Sequence, residues 1–238
     1  MSEQQVVDPP RFSIANGRSL SDQVYTYLTD RIITGELKFG DRLNIKEIAS
    51  RLQVSSMPIR DAVKRLEQER VVIVNPRSTC FIRTPTKQDI LDAIDARRMI
   101  EHFAVELIHS HVRLSELNRL DDILLRMAPI ASEDTLEGAT QHLQEYIDLD
   151  REFHSELCNL SRNEYVQQFY KIVNIHLSMS FSYGCGACHG SSATYEEHRL
   201  LVQYIKAHSP EALDVIDAHL MKSRHNIMQE PNFLALPD

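Results

Sequence analysis

The segment "DLDREFHSEL" places Asp150 and His154 four residues apart, on one helical face and one turn from each other. At that spacing a carboxylate and an imidazole can bind the same cation. Two further histidines, His198 in "EEHRLL" and His219 in "DAHLMKS", come from later segments. One carboxylate and three imidazoles suit Zn, Ni, Fe or Mn with a coordination position left open. The chain has 11 histidines, so spacing alone leaves open that these are surface or core histidines.

A second candidate is "CGACH", in which Cys185 and Cys188 precede His189 at the spacing of c-type haem attachment. That attachment normally takes place outside the cytoplasm, and a structural zinc site needs a second Cys/His pair. The remaining thiols, Cys80 and Cys158, are isolated in the sequence. We interpret the segment as a loop of small residues, and a redox role or adventitious metal binding stays open.

Composition and charge indicate a folded, cytoplasmic chain with two different halves. The 238 residues are 42% hydrophobic, which is enough for one large core or two modest ones. The sequence contains neither an apolar run of the roughly 20 residues that cross a bilayer nor an export signal. Residues 1–86 carry 13 Lys and Arg against 10 Asp and Glu, whereas residues 87–238 carry 13 against 24. A weakly basic module beside an acidic one is compatible with nucleic acid at one end.

The N-terminal pattern indicates a helix-turn-helix followed by a wing. Apolar residues recur at helical spacing from Leu20 to Ile33, and "IKEIASRL" follows Asn44, which can form a capping box with Glu47. A third helix, in "SSMPIRDAVKRLEQE", has Ser55 as its candidate N-cap. The β-branched "VVIV", the turn "NPRS" and "TCFIRT" predict two strands around a turn.

The outward face of the third helix carries three cations, Arg60, Lys64 and Arg65. In a helix-turn-helix this face lies where DNA phosphates or guanine edges would be, and Arg77 at the wing tip points the same way. The alternative is a three-helix packing module that does not contact DNA.

The C-terminal part predicts a helical bundle. "TPTKQD" resembles a hinge, because Pro85 breaks the preceding strand and Thr86 can cap a helix. From Ile90 onward the pattern is helical, and we predict helices over about 87–111, 115–127, 135–159, 163–181, 193–207 and 210–228. None is hydrophobic all round, so the fold is expected to be mainly α.

Three segments, "GELKFGDRL", "IASRLQVSSMPIRDAVKRLEQE" and "VVIVNPRSTCFI", resemble the winged helix-turn-helix of the GntR family of bacterial transcription regulators. Phe39 replaces that family's usual proline, Arg70 its usual glycine after the recognition helix, and Ser78 or Thr79 stands in place of the wing glycine. Ser56 occupies the position of a family arginine that touches DNA, so the operator should differ from the commonest ones. By this resemblance the DNA-binding positions are Lys46, Ser55, Ser56, Met57, Arg60, Arg77 and Ser78.

Four later segments resemble, in order, the FCD effector domain of the FadR-type branch of the same family: "RRMIEHFAVEL", "DREFHSELCNLSRNEY", "EEHRLLVQYI" and "EALDVIDAHL". The resemblance implies a divalent metal bound by Asp150, His154, His198 and His219. It also makes Arg97 a candidate to pair with an effector's carboxylate, with a salt bridge to Glu101 as the alternative. Asn163 is either a pocket residue or the cap of the next helix, and the cap is the interpretation we favour.

Together the two resemblances cover about residues 18–228 and imply a homodimeric, ligand-responsive transcription regulator that is not an enzyme. We expect a pseudo-palindromic double-stranded operator and a small organic acid as effector. The implied domains are a flexible tail (1–17), a winged helix-turn-helix (18–85), a helical effector- and metal-binding and dimerisation domain (86–230) and a C-terminal tail (231–238). A metal-dependent hydrolase and a constitutive regulator with a purely structural metal are the alternatives.

Overall fold

The structure is a computed structural model that describes residues 19–75, 79–132, 142–182 and 191–238. The chain divides into two compact units, residues 1–84 and 85–238. Ten α-helices and three short strands lie within the described residues, so the fold is mainly α, as predicted. No helix in this part of the chain is long and apolar enough to cross a bilayer. The predicted N-terminal tail lies outside the described residues.

The N-terminal unit is a winged helix-turn-helix. Its elements are α1 (Leu20–Ile33), β1 (Arg42–Leu43), α2 (Ile45–Leu52), α3 (Ser56–Gln68), β2 (Val72–Asn75) and β3 (Thr79–Ile82). α1 has the predicted bounds because the Ser19 side chain accepts a hydrogen bond from the Asp22 amide, which fixes the start of the helix. The Asn44 side chain accepts bonds from the Lys46 and Glu47 amides and so forms the first half of the predicted capping box.

The three strands form an antiparallel sheet in the order β1-β3-β2. β2 and β3 are the two predicted strands of the wing, and Val72 pairs with Ile82 while Asn75 pairs with Thr79. β1 was not predicted, because two residues are too short to show an alternating pattern.

The end of α3 adopts the backbone shape that normally favours glycine. Arg70 has φ +59°, in the left-handed region. Its amide donates to the Glu67 carbonyl at 3.0 Å, and the Val71 amide donates to the Leu66 carbonyl at 2.9 Å. These two bonds form a Schellman motif, so the turn is made even though an arginine occupies the family's glycine position.

The described residues of the C-terminal unit contain six long helices. They are α4 (Lys87–His111), α5 (Asn118–Ala131), α6 (Leu143–Leu160), α7 (Glu164–Ser182), α8 (Ser191–Lys206) and α9 (Glu211–Gln229), with a 3-10 turn at Leu114–Glu116. α5 continues past Pro129 to Ala131, beyond the predicted end. The first residues of the predicted helix over 135–159 lie outside the described residues.

α4 is the central helix of this unit and packs against α6, α7 and α9, while α5 packs against α6 and α8. Thr86 and Asp89 form a full capping box at its start, and the main core holds apolar residues of α4, α5, α6, α8 and α9. These contacts bring the faces of α6, α8 and α9 that bear the candidate metal ligands toward the face of α4 that bears Arg97.

The last residues differ from the predicted tail over 231–238. A short helix, α10 (Pro231–Leu234), follows α9, and Phe233 and Leu236 are buried in a cluster with Ile90. The Lys87 amide donates to the Pro237 carbonyl at 2.9 Å. The segment therefore packs on the first turns of α4, because its two apolar side chains gain more from burial than from remaining in water.

Candidate functional site

The start of α3 presents an exposed surface above a buried anchor. Ser55, Ser56, Met57 and Arg60 are exposed. Pro58, Ile59, Ala62, Val63 and Leu66 are buried, and α3 packs on α1, α2 and β2. Ser55 takes the predicted N-cap position without a side-chain cap bond, so its hydroxyl is not used by the helix.

The three predicted cations of α3 do not have the same surroundings. Arg60 and Lys64 are exposed and form no ion pair among the described residues. Arg65 instead lies 3.7 Å over the Tyr25 ring, and its Nε donates to Glu69 Oε1 at 3.1 Å. Arg65 is also exposed and packs between α1 and α3, and its projection toward DNA stays a prediction.

Two predicted DNA-binding positions, Arg77 and Ser78, lie outside the described residues, and so does the segment with Cys185 and Cys188. Lys46 is exposed in the first turn of α2. The contacts that the sequence analysis assigns to these positions stay predictions.

The four predicted metal ligands come together within the C-terminal unit. Asp150 and His154 lie on α6, His198 on α8 and His219 on α9, and the three histidines are buried. One ring nitrogen of each histidine lies within 4.8 Å of the other two. Asp150 Oδ1 is 3.8 Å from His154 Nε2 and 3.6 Å from His198 Nε2, so the carboxylate reaches two of the three rings.

Carboxylates outside this group orient two of the three rings. His154 Nδ1 lies 2.6 Å from Glu101 Oε2 on α4, and His219 Nδ1 lies 2.8 Å from Glu197 Oε2 on α8. Each Nδ1–H therefore donates to a carboxylate, which leaves the Nε2 lone pair of that ring free for the shared site.

His198 is held in a different way. Its ring stacks on Phe153 with centroids 4.3 Å apart, and its buried Nδ1 has no hydrogen-bond partner among the described residues. Its Nε2 lies 3.2 Å from His154 Nε2. Packing rather than a carboxylate thus fixes this third ring.

Burial keeps the imidazoles of His154 and His198 neutral. It lowers the pKa of His198 well below its usual range, and the nearby His219 and His154 lower it further. Burial and the charge of Arg97 lower the pKa of His154 as well. Neutral imidazole is the form that binds a metal, so the rings are ready to act as ligands at neutral pH.

The donor set fits a divalent cation. Two nitrogens that bind one tetrahedral ion at about 2.0–2.1 Å are about 3.3 Å apart, close to the 3.2 Å between the Nε2 atoms of His154 and His198. Three imidazoles and one carboxylate are the ligand types that Zn, Ni, Fe and Mn accept.

Arg97 forms the salt bridge that the sequence analysis gave as its alternative role. Its Nε donates to Glu101 Oε1 at 2.6 Å, and both side chains are buried. Burial alone would raise the pKa of Glu101, but Arg97 and His154 outweigh it and hold that pKa at about 2. Arg97 makes this hydrogen bond through Nε, and its guanidinium carries two further Nη groups that can act as donors.

Asn163 caps α7. Its side-chain oxygen accepts hydrogen bonds from the amides of Tyr165 at 3.0 Å and Val166 at 3.3 Å. This is the role that the sequence analysis favoured, and an effector contact by Asn163 stays a prediction.

The orienting carboxylates were missed by the sequence analysis. Glu101 was considered only as a partner of Arg97, and Glu197 was not considered at all. A sequence signal exists for Glu197, which directly precedes a ligand histidine in "EEH". Its bond to His219 joins α8 to α9, so the tertiary structure is needed to recognise it.

Fold and site together define a class: a winged helix-turn-helix unit joined to a helical unit with a buried cluster of histidines and a carboxylate. Residues 20–82 match the bacterial regulatory proteins of the gntR family, and residues 92–221 match the FCD domain. The chain belongs to the GntR family and carries a C-terminal FCD domain.

Relatives agree with this assignment, and a solved structure agrees with the fold. The chain is 28% identical over 192 residues to the HTH-type transcriptional regulator YdhC of Bacillus subtilis. The matched region covers 80% of this chain and 82% of that protein. It is 31% identical over 125 residues to the Nta operon transcriptional regulator of Aminobacter aminovorans, covering 52% and 56%. E. coli McbR/YncC has a similar fold, with a TM-score of 0.75 and 20% identity over 89% of this chain and 98% of that one.

The protein is therefore a DNA-binding transcription regulator with an FCD effector domain, and its families and relatives are regulators rather than enzymes. The predicted family membership, fold class and regulator function are confirmed at this level.

Proposed function

We propose that this chain is a metal-dependent, ligand-responsive regulator that acts in the cytoplasm as a homodimer on a pseudo-palindromic operator. A divalent metal is bound by Asp150, His154, His198 and His219, and a small organic acid is the effector. The observation that carries the proposal is the convergence of three buried imidazoles and a carboxylate inside the helical unit.

DNA is read by the exposed start of α3. Ser55, Met57 and Arg60 contact the major groove, with Arg60 as the cation, and Lys46 contacts a phosphate. Arg77 and Ser78 contact the minor groove from the wing. Ser56 supplies no cation at the position where the resemblance to the GntR family implies a DNA-contacting arginine, so we expect one base or phosphate contact fewer and a different preferred operator.

The effector binds beside the metal. When bound, the metal supplies a Lewis-acid position for an oxygen of the organic acid. The Nη groups of Arg97 donate to a remaining carboxylate oxygen, because a planar guanidinium suits that geometry. The effector regulates if it binds one state of the dimer better than the other, and a coupling of about 1–3 kcal/mol suffices.

Metal binding is tested by analysis of protein purified without chelators or nickel resin. We expect one divalent ion per chain, and a free metal concentration about 100 times Kd should stabilise the folded protein by about 2.7 kcal/mol. His219→Ala should abolish both effects. His225→Ala is the matched control, because this histidine lies exposed on the same helix. Metal binding that survives in His219→Ala would contradict the proposed site.

Effector binding is tested by a thermal-shift screen of small carboxylic acids, followed by operator titration. Arg97→Ala should remove the response to any acid that binds, while operator binding without effector stays largely intact. A regulator with a purely structural metal is the second candidate, and it predicts operator affinity that no acid changes. A hydrolase is disfavoured, because the matching families and relatives are regulators.

The homodimer forms through an apolar face of the helical unit. Four large side chains on α4 and α7 are exposed: Met99, Phe103, Tyr165 and Phe169. The buried residues beneath them, Ile100, Ala104, Val166 and Tyr170, form one cluster, so the exposed four lie at the same level of the bundle. We call this surface the α4–α7 face.

The charges of the helical unit favour a second copy of the chain as the partner that covers the α4–α7 face. Residues 87–238 carry 24 Asp and Glu against 13 Lys and Arg, so most faces of this unit repel a second copy. The α4–α7 face consists of two aromatic residues on α7 and an aromatic and a methionine on α4, types that are enriched at interfaces. A two-fold dimer places the same patch on both copies, and an uncharged patch avoids that repulsion.

Sedimentation of the full chain tests this face. Phe103→Glu combined with Phe169→Glu should shift the protein to the monomer and weaken operator binding. Leu125→Glu is the control, because Leu125 is 74% exposed on α5. A double variant that remains dimeric would mean that another surface forms the dimer.

A further inference from the structure

Two carboxylates orient metal-ligand histidines, and only one of them has a second partner inside the site. Glu197 pairs with His219 and, through its other oxygen, with Lys222 at the surface. Glu101 pairs through Oε2 with His154 and through Oε1 with the buried Arg97. The chain Arg97–Glu101–His154 is therefore continuous from the candidate effector contact to a metal ligand.

We propose that Glu101 is a positioning residue that links Arg97 to His154, so that changes at Arg97 alter how tightly the site holds its metal. The inference rests on the proposed metal site and deepens it. Glu101 has 0% exposure and Arg97 has 5%, so water does not screen the pair. Arg97 fixes one oxygen of Glu101 and thereby aims the other at His154 Nδ1.

The same geometry makes the coupling reciprocal. If the state of Arg97 alters metal affinity, bound metal alters the affinity of Arg97 for an anion by the same factor. An acid that binds Arg97 would therefore change the affinity of the site for its metal even without contacting the metal. Glu197 lacks this link, because its second partner is Lys222, on the exposed side of α9.

A double-mutant cycle with cobalt(II) as the probe tests the link. Apo protein is titrated with Co²⁺, whose visible absorption reports coordination. Glu101→Gln and Glu197→Gln should each weaken Co²⁺ binding by about 10- to 100-fold, the usual effect of losing an outer carboxylate. Arg97→Met should change Co²⁺ affinity by about threefold to tenfold in the wild-type and Glu197→Gln backgrounds, since Glu101 is then free to rotate and its charge is no longer compensated.

In the Glu101→Gln background, Arg97→Met should change Co²⁺ affinity less than twofold. An equal effect in all three backgrounds would overturn the link, because it would indicate general damage to the fold. Arg98→Met is the matched control, since Arg98 pairs with Asp217 at the surface. If Glu101→Gln does not fold, equal affinities of Arg97→Met and Arg98→Met would still overturn the proposal.

The outcome separates this inference from the proposed function. Wild-type protein that binds no Co²⁺ would refute the metal site and the link together. Wild-type protein that binds Co²⁺, with Arg97→Met having no effect, would refute the link alone.

Discussion

Replacing Arg70 with glycine should stabilise the DNA-binding unit. Arg70 has φ +59°, where a side chain with a Cβ costs about 1–2 kcal/mol. The Schellman bonds from Arg70 and Val71 show that the turn needs this conformation. Glycine removes the cost but loses about 0.5–1 kcal/mol more backbone entropy on folding. The exposed arginine side chain contributes little, so the expected net gain is about 0.5–1 kcal/mol.

Hydrogen exchange of the full chain, followed by mass spectrometry, measures this gain within the unit. Amides of α1 and α3 should exchange about two- to fivefold more slowly in Arg70→Gly than in the wild type. Arg70→Ala is the control, because it removes the side chain and keeps the Cβ in the left-handed conformation. Equal exchange in Arg70→Gly and the wild type, or equal gains in the glycine and alanine variants, would refute the reasoning.

Two further predictions concern the histidines and the recognition helix. With a chelator present, the free energy of unfolding of the helical unit should fall as the pH drops below about 6.5, because His154 and His198 have lowered pKa values and only the unfolded chain takes up their protons. For two groups the slope approaches about 2.7 kcal/mol per pH unit. Urea denaturation at several pH values measures this slope, and its absence would contradict the prediction. Arg65→Met should lower the free energy of unfolding of the N-terminal unit by about 1 kcal/mol with little change in operator affinity. Arg60→Met should weaken operator binding by about 1–3 kcal/mol, which fluorescence anisotropy measures. Equal losses of operator affinity in the two variants would contradict this prediction.

Local signals were sufficient for most elements of the fold. α1 and α4 have strong periodicity and side-chain caps at Ser19 and Thr86, and the structure gives them the predicted bounds. β1 has two residues and exists only because β3 pairs with it, so no local pattern reveals it. The packing of Phe233 and Leu236 on the start of α4 also depends on contacts distant in sequence.

In the candidate site, too, some features follow from local sequence and others depend on contacts distant in sequence. The helical spacing of Asp150 and His154 is local and could be read from the sequence, whereas the approach of His198 and His219 required the resemblance. The orienting bond from Glu101 to His154 spans 53 residues, and the stack of His198 on Phe153 spans 45. Such contacts follow from helix packing, which a single sequence does not reveal.

The charge balance of the buried groups explains why the proposed effector is an anion. The charges of Arg97 and Glu101 cancel, His154 and His198 are neutral, and Asp150 contributes a negative charge. A divalent cation converts that charge to +1, which is costly in a site this poorly hydrated. One carboxylate restores neutrality, and the Nη donors of Arg97 give it a fixed orientation. The metal and the acid should therefore bind more tightly together than separately, which is what a sensor of a small acid requires.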